Sequence, residues 1–217
     1  MFIFNEKLII FIKKNKIKDM KKIAIDLNDV IRDFYDRFHT IYCSYNLIDP
    51  NTFDRPIIKQ DKDLLQYYDK FNNKIELYKF MFDEASLEIF GHADLMSKTI
   101  VGALTTFNNE MLDEDGYELY ITSREYGNSV GATFYFLGKY NIPINRVIFE
   151  KNYDELWKHF DVIITTNTTI LETKPNDKIT IKINREYNKN IESDFEFNNL
   201  QDCILSASGL IEMLENK

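Results

Sequence analysis

Only two of the 217 residues are cysteine, four are proline and seven are glycine. Cys43 and Cys203 are too few for a disulfide framework and have no metal-ligand spacing, so two reduced thiols in a cytosolic setting are expected, with no support for a zinc site. The dispersed glycines form no glycine-rich phosphate loop. No Pro/Gly/Ser-rich tract interrupts the chain, and its length suits one compact domain carrying an insertion. His39, His92 and His159 lie apart from any His/Cys cluster or triad-like spacing and are expected to be packed or surface residues. Positive charge is short as well, with 27 Lys and Arg against 35 Asp and Glu and a net charge of -8. That balance argues against sequence-independent binding to nucleic acid or to an anionic membrane. Long apolar runs are missing too. Met1 to Ile12 is too short to span a bilayer and is interrupted by Asn5, Glu6 and Lys7.

Core-forming material is plentiful: 44% of residues are apolar, with 17 Phe and 13 Tyr. Short β-branched or apolar runs bounded by charged or turn residues predict strands at 22–25, 118–121, 146–149, 162–164 and 179–183. Helix-length segments are expected at 129–140, 153–160 and from about 208 to 216. This alternation predicts right-handed βαβ units around a parallel sheet. Between the first two strands, residues 33–112 read mostly as helix, with Ile75, Tyr78 and Phe82 as one apolar face and a further helical run from Leu95 to Leu112. Tyr67, Tyr68, Phe71, Tyr78, Phe80 and Phe82 recur at helical spacing and are expected in a core or an interface. The apolar segment Phe2 to Ile12 is expected to pack on the core, with docking to a partner as the second reading. A Lys/Asn/Ile-rich vocabulary fits an AT-rich genome and raises the expectation of a bacteriophage protein, in the host cytoplasm or the virion.

The most informative stretch is Ile23-Ala24-Ile25-Asp26-Leu27-Asn28-Asp29-Val30, an apolar strand that delivers a carboxylate at its end and turns at once. With Ile31-Arg32-Asp33-Phe34 it resembles the first motif of haloacid dehalogenase-like hydrolases, closest to the deoxyribonucleotidase-like branch. The second motif of that superfamily is similar to Leu119-Tyr120-Ile121-Thr122-Ser123-Arg124, the third to Arg146-Val147-Ile148-Phe149-Glu150-Lys151, and the fourth to Asp161-Val162-Ile163-Ile164-Thr165-Thr166-Asn167. The resemblance implies an α/β Rossmannoid three-layer fold with a parallel sheet. Its expected divisions are an N-terminal extension (1–21), a core (22–34 and 113–217) and a helical cap (35–112).

In that superfamily the first Asp attacks phosphorus, a second Asp two residues on protonates the leaving group, Thr and Lys hold phosphoryl oxygens, and paired acids anchor Mg²⁺. Here Asp26, Thr122 and Lys151 match. Asn28 replaces the acid, and an amide cannot transfer a proton at neutral pH. Thr165 and Thr166 replace the metal ligands with neutral hydroxyls. Loss of the acid alone costs roughly 10²- to 10⁴-fold in rate. The expectation is therefore a catalytically degenerate protein with no cofactor, serving as a structural or interaction module with protein partners or in a homo-oligomer. An ordinary ion pair between Asp26 and Lys151 is expected in the vestigial site. The alternative is an active phosphoric monoester hydrolase with Mg²⁺, in which Asp29 serves as the substitute acid and another carboxylate, such as Asp161 or Glu150, is brought to the metal position.

Overall fold

A computed structural model describes residues 21–49, 52–56, 64–113, 117–144 and 146–206. Six parallel strands form one sheet: β1 (Lys21–Asp26), β2 (Tyr117–Ser123), β3 (Val147–Phe149), β4 (Val162–Thr165), β5 (Ile179–Ile183) and β6 (Phe195–Phe197), in the spatial order β3-β2-β1-β4-β5-β6. β1 lies at the centre, and the chain crosses over it between β3 and β4. Its apolar residues do not alternate with polar ones because helices cover both faces, so Ile23, Ala24 and Ile25 are all fully buried.

On one face, Ile23, Ile25 and Ile121 pack with Ile100, Leu104 and Phe107 of α3 (Ile100–Asp113) and with Phe136 of α4 (Asn128–Lys139). On the other, Ala24 and Ile163 meet Leu156, Trp157 and Phe160 from α5 (Tyr153–His159) and its end, with Ile170 of α6 (Thr168–Glu172). Asn152 and Asn167 start these two helices by accepting hydrogen bonds from the backbone N–H groups of Asp154 and Thr169, at 2.8 and 2.9 Å. The last helix among the described residues, α7 (Leu200–Leu205), closes against α3 through Cys203 and Leu200.

The insertion forms a separate aromatic core. Phe34, Phe38 and Tyr42 of α1 (Phe34–Tyr45) pack with Tyr68, with Leu77 of α2 (Lys74–Lys79), and with Phe80 and Phe90 from two wide helical turns at Phe80–Glu84 and Leu87–Gly91. α3 shares its buried residues with the sheet, although the sequence reading assigns residues up to 112 to the cap. The apolar face expected from Ile75 and Tyr78 also points the other way. Ile75 is 79% exposed, and the buried face is Leu77, Phe80 and Met81. Spacing sets a face only relative to itself, and the wide turns after Lys79 change the phase between Tyr78 and the residues beyond.

The five expected strands stand within one or two residues of their expected bounds; the short edge strand β6 and helices α6 and α7 were not foreseen. The helix expected at 208–216 and the segment Phe2 to Ile12 lie outside the described residues. Among the described residues no helix is long and apolar enough to cross a membrane.

Candidate active site and its cavity

Asp26 ends β1 directly beside Thr122 of β2. Thr165, at the end of β4, donates its hydroxyl to Asp26 Oδ2 at 2.8 Å. Lys151 lies two residues beyond β3. Parallel pairing thus brings the four motif positions to the carboxyl ends of neighbouring strands, where open α/β sheets bind ligands. The loop after Asp26 is a tight turn, with Asp29 N–H donating to Arg32 O at 2.7 Å and Arg32 N–H to Leu27 O at 2.9 Å. Asp29 takes φ 60°, a left-handed conformation that Asp tolerates better than most residues.

Asn28 is held from three directions. Its Oδ1 accepts from Arg32 Nε at 2.9 Å and from Arg32 Nη2 at 2.6 Å, and its Nδ2 donates to Glu125 Oε1 at 3.1 Å. The fully buried Arg32 also donates through Nη1 to Thr133 Oγ1 at 2.8 Å and to Phe90 O at 3.2 Å, and its Nη2 forms an ion pair with Glu125. Those five contacts match the five donors of a guanidinium. Burial lowers the Arg32 pKa from its ordinary value, and the Glu125 carboxylate opposes that shift. Thr133 donates to the other Glu125 oxygen. The position where the resemblance calls for a proton donor is therefore an amide fixed between a buried cation and its counter-ion.

The expected acids differ in their placement. Asp161 lies at the opposite end of β4, where Lys22 N–H and Lys178 Nζ bind it at 2.9 and 2.8 Å. Glu150 caps its own turn by accepting from Asn152 N–H at 2.8 Å. Asp29 does line the cavity. Burial pushes its carboxyl up to about 7, against the hydrogen bonds from Tyr35 and Phe34 N–H and the charge of Arg185. Arg185 also donates to Asp29 O at 2.6 Å, which pins the turn to the loop after β5.

Lys151 lies with its ammonium 3.1 Å from the centroid of the Tyr126 ring, a cation–π contact in place of the ion pair with Asp26 that the sequence led one to expect. Arg124 stacks similarly on Tyr153, at 4.2 Å. Thr122 donates to Ile148 O at 3.3 Å.

A divalent ion does not fit the donors present. The two positions where the resemblance calls for paired acids hold Thr165 and Thr166, whose hydroxyls point inward, Thr165 to Asp26 and Thr166 to Asn28 O at 3.5 Å. Two neutral hydroxyls and one carboxylate are a poor set for a hard cation. Among the described residues no group of three or more His, Cys, Asp or Glu side chains is placed to hold a metal.

Above these residues lies a cavity of roughly 360 Å³ between sheet and cap. Its cap wall is apolar, built by Phe34, Leu77, Met81, Phe82 and Phe90, and its floor is polar. Sequence reasoning did not single out Arg32, Glu125, Thr133 or Arg185. The four-residue step from Asn28 to Arg32 is the one local signal; Glu125 reaches Arg32 across 93 residues, which no local pattern encodes.

No protein-family model and no curated protein sequence matches this chain. Solved structures do. A haloacid dehalogenase-like family hydrolase from Xanthomonas campestris superposes with a TM-score of 0.58 at 10% identity, over 92% of this chain and 100% of that one. A protein described as a haloacid dehalogenase-like hydrolase from Burkholderia xenovorans gives 0.56 at 10% identity, over 89% and 99%. A predicted phosphatase from Clostridium acetobutylicum gives 0.57 at 11% identity, over 88% and 99%. The fold is haloacid dehalogenase-like, and at such identities the likeness carries the fold alone.

Proposed function

We propose that this chain is a catalytically degenerate protein of the haloacid dehalogenase-like fold that acts by binding rather than by turnover, as an interaction module with protein partners or in a homo-oligomer. The observation that carries the reading is the three-way clamp on Asn28. An amide that accepts twice from Arg32 and donates to Glu125 has no proton to deliver and no freedom to reach a leaving group. The neutral Thr165 and Thr166 remove the metal anchor as well. A bacteriophage origin and a place in the virion are part of the proposal, and they rest on the AT-rich vocabulary alone.

Asp29 favours a second reading. A buried carboxyl with a pKa of about 7 beside the old acid position has the acidity of a general acid, and phosphoric monoester hydrolysis would then run through Asp29. Assays on p-nitrophenyl phosphate and nucleoside monophosphates, with and without Mg²⁺, separate the two. The expected result is no turnover above background and no difference between the native chain and Asp26→Asn. Turnover that disappears in both Asp26→Asn and Asp29→Asn establishes the hydrolase instead.

A further inference from the structure

The chain crosses between core and cap twice, at 32–34 and at 91–96, and the two crossings are paired with each other. Asp33 N–H donates to Asp94 O at 2.9 Å and Met96 N–H to Ile31 O at 2.8 Å. Two short segments side by side are where a cap could swing on its core, as hinges are a few residues at the ends of elements. Here the packing around them opposes such a motion. Helix α4 belongs to both bodies, with Phe136 in the core of the sheet and Ala132 in the aromatic core of the cap.

The wide turn Leu87–Gly91 of the cap lies directly on α4. A Cβ on Gly91 would stand 2.7 Å from Leu87 Cδ1, 3.2 Å from Tyr135 Cδ1 and 3.4 Å from Ala132 O, so the approach depends on a residue without a side chain. Arg32 pins the same seam from inside. Fully buried, its guanidinium lies between the Phe90 ring of the cap and the Phe136 ring of α4, at 4.9 and 5.3 Å. It donates to Phe90 O on the cap and to Thr133 Oγ1 on α4, and it pairs with Glu125 of the core. Swinging the cap away would strip Phe90 from a buried cation and leave a donor unmet, which is costly in a low-dielectric interior. Two further contacts join cap to core along the cavity, Tyr35 edge-on to Tyr187 at 5.7 Å and Phe82 against Tyr126 at 4.4 Å.

We propose that the seam along α4, closed by Gly91 and riveted by Arg32, fixes the cap to the core as one rigid unit, so that the cavity keeps its volume and does not open and close around a ligand. The inference goes beyond the reading of the protein as a binder, which holds with a fixed cap or with a mobile one. Arg32 is then a positioning residue for the whole cap as well as for Asn28. A single guanidinium holds the site loop, the core helix and the cap in one arrangement.

The test is the distribution of distances between two spin labels, read by double electron–electron resonance on the full chain diluted with unlabelled chain. Labels go on Ile75→Cys in the cap and Lys158→Cys in the core, both exposed positions, while the native Cys43 and Cys203 are buried. The otherwise native chain is expected to give one narrow distance. Gly91→Leu, which forces a side chain between the wide turn and α4, should move it to a longer distance, and Arg32→Met should add a second, longer one. Gly131→Leu is the control, because a side chain there enters open space on α4, and it should leave the distribution as it was. Where Arg32→Met fails to fold, Thr133→Val removes one of its acceptors and is read in its place. A broad or double distribution in the otherwise native chain overturns the proposal, since the cap then moves in spite of the seam. So does a distribution left narrow and unshifted by Gly91→Leu and by the Arg32 or Thr133 variant, since the seam is then not what holds the cap. Neither result touches the non-catalytic reading, which turnover assays decide.

Discussion

Asn28 differs from an aspartate by one atom, yet its surroundings are built for the amide. Asn28→Asp would set a carboxylate against Glu125 Oε1, 3.1 Å from the atom it replaces, and remove the only donor Asn28 offers. Two carboxylates so close cannot both ionise, so the new acid would hold its proton to higher pH. The expected outcome is a stability loss of about 1–3 kcal/mol near neutral pH, measured by urea unfolding, with no phosphatase activity gained. Glu125→Gln should be worse, at roughly 3–5 kcal/mol, because it leaves Arg32 buried without its counter-charge. A Glu125→Gln variant as stable as the native chain would show that the ion pair is not what fixes the turn.

Asp29 gives a pH signature at the same scale. Its carboxyl rises from the ordinary value of 3.8 to about 7 on folding. Between those values the folded chain keeps a proton that the unfolded chain has released. The favourable contribution of Asp29 is therefore complete below about pH 3.8 and is lost as pH rises through 7. Asp33 raises the shift further and Arg185 opposes it, both from loops packed on the turn. Asp29→Asn keeps a residue that tolerates φ 60° and an oxygen for the Phe34 and Tyr35 N–H groups. It should unfold at higher urea than the native chain at pH 8 and not at pH 4, with a difference of up to about 4 kcal/mol. An equal difference at both pH values would refute the assignment.

Among elements, the strands were legible because a fully covered parallel strand is a bare apolar run, and Ile23-Ala24-Ile25 or Val162-Ile163-Ile164 can hardly be anything else. Edge strand β6, Phe-Glu-Phe, is too short and too exposed to carry such a signal. The cap was legible as helix but not as geometry. Its two wide turns, Phe80–Glu84 and Leu87–Gly91, shift the phase of the pattern beyond Lys79, and within α2 the buried residue is Leu77 rather than Ile75. Leu77→Ala should therefore cost about 2–5 kcal/mol, and Ile75→Ser should stay within about 0.5 kcal/mol. Similar losses from both changes, read by thermal unfolding, would mean that the cap packs on the other face.

At the scale of the whole molecule, motif order was enough to bring Asp26, Thr122, Lys151 and Thr165 to one end of the sheet, because each sits where a parallel strand ends and register does the rest. What the motifs could not supply was the set of partners that decides their chemistry. Glu125, Thr133 and Phe90 O reach Arg32 from elements 58 to 101 residues away, and only the closed fold brings them together. On the proposed reading, in which Asn28 serves internal bracing, the rigid body is what the scaffold offers, and association is the corresponding property to measure. Light scattering of the full chain is expected to show a defined assembly larger than the monomer, and deletion of residues 1 to 12, the apolar segment Phe2 to Ile12 included, should dissolve it while leaving the far-UV spectrum of the sheet and cap in place. A stable contact of this kind buries on the order of 1,200 Å² or more in total, which a dozen mostly apolar residues and their receiving surface can approach. A truncated chain that assembles as the full one does would move the contact elsewhere on the molecule. A full chain that stays monomeric and takes no partner would leave the interaction reading without its physical basis.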